Sequence, residues 1–200
     1  TPGRQQSSRP QHSQQQGGQP PSRQQASRQP ASGRPQQSAP GAHIQGGSIQ
    51  LGLNPLVAEA AEILALHAEL RLTAQHANPN GLRNQLVDKI RDFEKALKAK
   101  SYANEIIVSA RYIICTALDE AVLNTPWGSQ SGWAQHSLLS TFHNETFGGE
   151  KFFLIMGRLL EAPAKYIEAM ELIYLILAQG FSGKYKLDPR GHVQLEEIKS

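Results

Sequence analysis

Two histidines and a glutamate lie close enough together in this sequence to suggest a metal-ion site. His143 and Glu145 lie on either side of Asn144, and His136 lies seven residues before His143. A catalytic zinc site needs three or four converging ligands, and this spacing supplies no recognisable third ligand. A metal-assisted hydrolase that uses His136, His143 and Glu145 is therefore the weaker alternative, and we predict no cofactor. In the simpler interpretation, the side chains of residues 144–146 pair with backbone donors at a turn.

A second pattern that could do chemistry is the adjacent carboxylate pair Asp119 and Glu120. Acid–base catalysis would require both groups to reach one substrate. Neighbouring positions of a helix point about 100° apart, so these two carboxylates cannot readily share one substrate atom. Residues 148–151 resemble a phosphate-binding loop, but they lack its Gly-Lys-Ser/Thr ending and a preceding strand. We therefore expect a protein that is not an enzyme.

Helical patterns must position these residues. Asn54 followed by Pro55 is an N-cap with proline at the first helical position, which predicts a helix to about His76. Further helices are expected over residues 82–98, 103–124, 132–142, 150–160 and 163–180, and a terminal helix from Val193. Residues 183–191 are rich in turn formers and favour a small hairpin. The predicted fold class is all-α, a bundle of about six to eight helices.

The helix predicted over residues 103–124 is amphipathic. Its aliphatic side chains fall within an arc of about 140°. The opposing side carries the polar residues Glu105, Ser109, Tyr112, Thr116, Asp119 and Glu120. We therefore expect one buried face, with Asp119 and Glu120 projecting from the other. The single cysteine, Cys115, belongs to the apolar run and is expected to be a buried, inert thiol.

Residues 1–50 differ in composition from the rest of the chain. They contain 14 Gln, 8 Ser, 7 Pro, 7 Gly and five Arg, and they contain no acidic residue. Such a segment cannot bury enough apolar surface to offset an ordering entropy of about 1–2 kcal/mol per residue. We interpret residues 1–50 as a disordered tail and residues 51–200 as one helical domain.

The positive charge of the chain belongs to this tail. The chain has 20 basic and 17 acidic residues. Since the tail holds five of the basic and none of the acidic residues, the domain has a formal charge of −2. The domain shows no basic stripe of the kind that lines a nucleic-acid groove, so we expect no nucleic-acid partner. No window reaches the roughly 18–20 apolar residues that would cross a bilayer.

The most unusual composition lies in residues 118–153, which hold both tryptophans and four of the six phenylalanines. Its motifs together resemble the DotU/IcmH family, and specifically the TssL-type cytoplasmic domain of bacterial type VI secretion systems. The segments that carry the resemblance are residues 117–123, 125–128, 132–133, 137–139, 142–146 and 148–153, with residues 54–57 and 180–185. It covers about residues 53–198. The type IVB secretion branch has homologous members and is the alternative, although residues 127–153 look closer to type VI.

The resemblance implies a non-enzymatic structural component of the type VI secretion membrane complex. The implied fold is two small helical bundles joined in a hook, on the cytoplasmic side of the bacterial inner membrane. The implied anchor is one C-terminal transmembrane helix after Ser200. The implied partners are an IcmF/TssM-type inner-membrane protein and components of the baseplate, and self-association is a further expectation.

We place the partner surface on the polar side of the third helix and in the segments that follow it. Its predicted members are Asp119, Glu120, Trp127, Trp133, His143, Asn144 and Glu145. An acidic surface edged by aromatic residues suits a basic or amphipathic segment of another protein. In the alternative, Asp119 holds the loop over residues 125–128, and the tryptophans are packing residues. Structural roles are expected for Pro126, Gly128, Gly148, Gly149, Phe152 and Phe153.

Overall fold

A computed structural model describes residues 54–200, and the tail expected over residues 1–50 lies outside the described residues. The described part folds into eight α-helices: α1 Pro55–Leu72, α2 Pro79–Ala99, α3 Asn104–Leu123, α4 Pro126–Gln130, α5 Leu138–His143, α6 Gly149–Leu160, α7 Pro163–Ala178 and α8 Gly191–Lys199. Two short 3-10 helices cover Trp133–His136 and Gly183–Leu187. The all-α class is confirmed, while the division into two bundles stays a prediction. No helix within residues 54–200 is long and apolar enough to cross a membrane.

Local signals predict where most helices begin and end. Asn54 caps α1 by accepting a hydrogen bond from the Val57 amide at 2.8 Å, and Gly180 follows α7 with a φ of 95°, as expected for a left-handed cap. The helix expected over residues 132–142 is instead divided at Ser137. That residue is extended (φ −64°, ψ 164°), and its hydroxyl caps α5.

Two predicted elements are wrong. α1 ends at Leu72 rather than near His76, since Thr73 is extended and its hydroxyl bonds back to the Glu69 carbonyl. The hairpin expected over residues 183–191 is absent from the described structure, where the 3-10 helix Gly183–Leu187 is followed by a turn at residues 188–190 and then by α8.

α3 runs through the middle of the domain. It packs against α1 and α2, against α4 to α7, and against the first 3-10 helix. All eight residues from 112 to 119 are buried. The prediction of one buried face is therefore wrong over residues 112–119, because neighbouring elements also cover the polar side there, whereas Asn104, Glu105 and Val108 are exposed near the start of α3. Cys115 is fully buried as predicted, and burial raises the pKa of its thiol.

Candidate functional site

An open groove of about 510 Å³ lies along the C-terminal half of α3, and we call it the α3 groove. α3 forms its floor, the segment from Leu139 to the start of α6 forms one wall, and the second 3-10 helix forms the other. The lining residues are Thr116, Asp119, Glu120, Leu123, Asn124, Leu139, Thr146, Phe147, Gly148, Gly149, Glu150, Gly183, Lys184, Lys186 and Leu187. The groove therefore contains the acidic pair that the sequence placed in a partner surface.

Asp119 fastens the first wall to α3. Its side chain is 4% exposed. One oxygen, Oδ1, accepts from the Trp133 indole at 2.8 Å and from the Leu138 amide at 2.9 Å, while Oδ2 accepts from the Leu139 amide at 2.9 Å. Because Leu138 and Leu139 are the first residues of α5, the carboxylate satisfies amide donors that have no partner inside that helix.

Glu120 does the same for the second wall. Its two carboxylate oxygens accept from the amides of Ser182 and Gly183, at 2.9 Å and 2.7 Å, where the second 3-10 helix begins. The two acids point in different directions, as expected of helix neighbours. Each carboxylate therefore holds a different wall in place.

These roles correct the prediction that Asp119 and Glu120 project into solvent. Burial raises the pKa of Asp119 to about 6, and the N–H donors around it oppose that rise. Burial also raises the pKa of Glu120, against its two backbone donors and the nearby Arg71. The loop at residues 125–128, which Asp119 was alternatively expected to hold, is capped by the Thr125 hydroxyl instead.

Two neighbouring glycines bring the first wall close to the rest of the groove. A Cβ atom at Gly148 would lie 2.5 Å from Thr116 Oγ1, and one at Gly149 would lie 3.0 Å from the Gly183 backbone. No larger residue fits at Gly148 without displacing α3 or its neighbours. The two walls consequently meet at the 149–183 contact.

Aromatic packing reinforces this contact between the walls. The ring centroids of Phe152 and Phe181 are 4.3 Å apart, and those of Phe153 and Tyr185 are 4.8 Å apart. Phe152 and Phe153 are buried. Of the other expected structural residues, Pro126 is the first residue of α4, and Gly128 is buried where a Cβ would clash with the Val122 carbonyl.

The rim of the α3 groove is apolar and exposed. Phe147 on the first wall is 90% exposed, and Leu187 at the end of the second 3-10 helix is 91% exposed. Lys184 and Lys186 lie beside Leu187, and the Lys186 ammonium donates to Asn124 Oδ1. The reachable groups of the groove are thus two large apolar side chains and a few charges, because its acidic pair is occupied by backbone amides.

His143 and Glu145 belong to a polar network beside the groove. Arg111 donates to His143 Nε2 at 3.3 Å and pairs with Glu94 of α2 at 2.6 Å. The Tyr112 hydroxyl donates to Glu145 at 2.8 Å, and Lys151 of α6 pairs with the same carboxylate. Glu145 therefore bonds side chains rather than the backbone donors that we expected. The neighbouring Asn144 ends α5 with a φ of 55°.

His143 is expected to lower the stability of the domain as the pH falls. Burial and the adjacent Arg111 lower the pKa of this histidine to about 4. Between pH 6.5 and 4, His143 is protonated in the unfolded chain but stays neutral in the folded one. The contribution of this histidine to the free energy of unfolding therefore falls as the pH falls. Because the side chain is only half-buried, solvent weakens this effect. We therefore expect the free energy of unfolding to fall by about 1–2 kcal/mol, which is less than the full pKa shift would give.

Urea unfolding at pH 7.5 and at pH 4.5 measures this contribution. The matched variant is His143→Gln, whose amide oxygen can still accept from Arg111 but does not titrate. The wild type should lose about 1–2 kcal/mol more than the variant over this pH range. Equal losses in the two proteins would show that His143 does not cause the acid sensitivity.

The two tryptophans do not form an aromatic edge to the groove. Trp133 is 3% exposed and lies beneath the groove against Asp119, so its packing interpretation is correct and an exposed anchor there is wrong. Trp127 is partly buried at the end of α1, where its indole donates to the Thr73 carbonyl at 2.9 Å and its ring lies 5.1 Å from His76.

His136 is exposed and lines a cleft with Arg83 of α2. Among residues 54–200, no three His, Cys, Asp or Glu side chains cluster closely enough to hold a metal ion. The structure therefore does not bring His136, His143 and Glu145 together as ligands.

Sequence reasoning missed Phe147 and Leu187, which are the most exposed large apolar side chains at the groove. The sequence could have indicated the exposure of Phe147, since this phenylalanine lies in a polar, glycine-rich loop and not on the apolar face of a predicted helix. Leu187 had a similar signal, because it lies between lysines and the turn at Asp188 and Pro189.

Comparison with known proteins agrees with the sequence motifs. Residues 55–200 match the model of the family described as "Type VI secretion system protein DotU". The chain belongs to the DotU family. The type VI branch is therefore confirmed over the type IVB alternative, and the chain is a component of a type VI secretion system. No curated protein sequence matches the chain.

Solved structures of TssL proteins have a similar fold. The chain is 38% identical to TssL from Vibrio cholerae, with a TM-score of 0.66, and the match covers 72% of this chain and 90% of that one. The cytoplasmic domain of TssL from Acinetobacter baumannii has 23% identity and a TM-score of 0.67, with 72% and 92% covered. SciP/TssL from enteroaggregative Escherichia coli 042 has 19% identity and a TM-score of 0.62, with 72% and 84% covered, and these last two show the fold alone.

Proposed function

We propose that this domain is a non-enzymatic subunit of the type VI secretion membrane complex. It links an IcmF/TssM-type inner-membrane protein to the baseplate through protein–protein contacts, from the cytoplasmic side of the bacterial inner membrane. The observation that carries this proposal is the DotU match over residues 55–200. The described polar clusters support it, because Asp119, Glu120 and Glu145 are engaged in contacts that fix helices and loops.

The α3 groove is the proposed docking surface for one of these partners. A few well-packed, desolvated side chains supply most of the affinity in protein interfaces. Phe147 and Leu187 stand on opposite walls and are each about nine-tenths exposed. A partner segment lying in the groove would contact both side chains and cover the α3 floor between them.

This arrangement changes the expected role of the acidic pair. Asp119 and Glu120 were expected to attract a basic segment, but their charges are met by five N–H donors of this chain. We therefore assign them to holding the walls at a fixed separation. Recognition in this proposal comes from the apolar rim, with Lys184, Lys186 and Glu150 setting orientation.

Affinity purification from a bacterium with an active type VI system tests the function. The tagged full-length protein should co-purify with the IcmF/TssM-type protein and baseplate components from detergent-solubilised membranes, and its deletion should abolish type VI secretion. Restoration by the wild-type gene controls for effects on neighbouring genes. Normal secretion after deletion would refute the proposal, as would purification without either class of partner.

A further inference from the structure

A second recessed surface lies away from the α3 groove, between α2 and the segment that includes the first 3-10 helix and α5. It consists of two adjoining clefts of about 560 and 510 Å³ that share Arg83 and His136. The first is lined by Arg83, Asn84, Val87, Asp88, Arg91, His136, Ser140 and Thr141, and the second by Pro79, Asn80, Arg83, Ser131, Gly132, Trp133, Gln135 and His136. We call the two together the Arg83 cleft.

Arg83 occupies the shared part of this cleft without a carboxylate partner. Its side chain is half-buried, and none of the ion pairs or side-chain hydrogen bonds found within residues 54–200 includes it. Arg91 pairs with Asp88 only at 3.7 Å, and both side chains are largely exposed. Such an exposed ion pair contributes little to stability, so the Arg91 guanidinium remains available to bind another anion.

The other lining groups suit a carboxylate-bearing peptide. Guanidinium groups bind carboxylates through two parallel hydrogen bonds. The hydroxyls of Ser140 and Thr141 and the amides of Asn84 and Gln135 can bond to a peptide backbone. With Asp88 in the cleft and a domain charge of −2, the surface lacks the continuous positive charge that nucleic acid requires.

We propose that the Arg83 cleft binds an acidic segment of a partner protein, separately from the partner in the α3 groove. Arg83 receives one carboxylate at the centre of the cleft, and Arg91 receives a second about two helical turns along α2. His136, which was considered as a metal ligand, lies on the opposite lip, where it adds a donor to the same anion site.

Fluorescence anisotropy with a labelled hexaglutamate peptide tests this inference on the full 200-residue chain. The double variant Arg83→Glu, Arg91→Glu should weaken binding at least about tenfold, because it replaces attraction by repulsion at the site. The matched control is Lys98→Glu, Arg158→Glu, which makes the same charge change at exposed positions outside the cleft and should weaken binding less than about twofold. Arg83→Gln removes a positive charge without adding a negative one, so it should weaken peptide binding by an intermediate factor. This variant replaces the double variant in the test if the double variant does not fold.

Three results would overturn the proposal. Equal weakening in the control would mean that only the total charge matters. Unchanged binding in the Arg83 variants would place the peptide elsewhere, including on the five arginines of residues 1–50. Tighter binding of a labelled thymidine hexamer, lost in the same variants, would make the cleft a nucleic-acid site.

Discussion

Asp119→Ala is expected to lower the free energy of unfolding by about 3–5 kcal/mol, against a total of about 5–15 kcal/mol for a domain of this size. The substitution leaves three buried donors without an acceptor: the Trp133 indole and the amides of Leu138 and Leu139. Each buried donor that loses its partner costs about 1–3 kcal/mol. Water can reach the vacated site and offsets part of this sum.

Urea unfolding at pH 7.5, followed by circular dichroism and by tryptophan fluorescence, measures the loss. Asp119→Asn should fall between the wild type and Asp119→Ala, since its one remaining oxygen can still accept while its amide group faces a backbone donor. Asp92→Ala is the matched control, because that exposed carboxylate pairs only with Lys95 and its removal should cost under about 0.5 kcal/mol. A loss below about 1 kcal/mol for Asp119→Ala would contradict the wall-fastening role of this residue.

Phe147→Asp combined with Leu187→Asp is expected to weaken capture of the groove partner at least about 100-fold while leaving the fold intact. The two side chains are 90% and 91% exposed, so a charge at either position meets water in the free protein. In the complex the same charges would be buried against an apolar partner surface. If both side chains are hot spots of the interface, each loss costs about 2 kcal/mol or more, and the two together exceed a factor of 100.

Co-purification from membranes and the secretion assay measure this effect, with thermal unfolding as the check on the fold. Leu72→Asp combined with Val193→Asp is the matched control: both leucine and valine are exposed, at 87% and 57%, and both lie outside the α3 groove. The control should keep its partners. Undiminished capture by the groove variant would move the docking surface elsewhere, whereas equal losses in both variants would reflect a general effect of added charge.

The same experiments distinguish the roles of the two proposed surfaces. If the groove variant loses a type VI partner and still binds the hexaglutamate peptide, the α3 groove and the Arg83 cleft act independently. If the Arg83 variants lose peptide binding while secretion persists, the cleft serves an interaction that secretion does not require, and the function proposed for the groove is unaffected.

Local chemistry in the sequence was sufficient to predict most of the helices. The Asn54-Pro55 pair places the start of α1 correctly, and the apolar spacing of α2 predicts its buried side, on which Leu82, Leu86, Ile90, Phe93 and Leu97 all lie. These features depend on a residue and its neighbours within a few positions, so they can be predicted without knowledge of the tertiary structure. The same holds for the dense block at residues 118–153, whose motifs identified the family.

The surroundings of Asp119 and Glu120 were decided by tertiary structure. A helical wheel gives the direction of a side chain from its own helix axis, and it correctly placed both acids away from the aliphatic arc of α3. It carries no information about which other element covers that side. The amides that bind these carboxylates lie 19 or 20 residues away for Asp119 and 62 or 63 residues away for Glu120. Because those contacts form only when the walls pack on α3, sequence alone predicted an exposed acidic face where the folded chain has one buried and one partly buried carboxylate, each bound to backbone amides at the start of a helix.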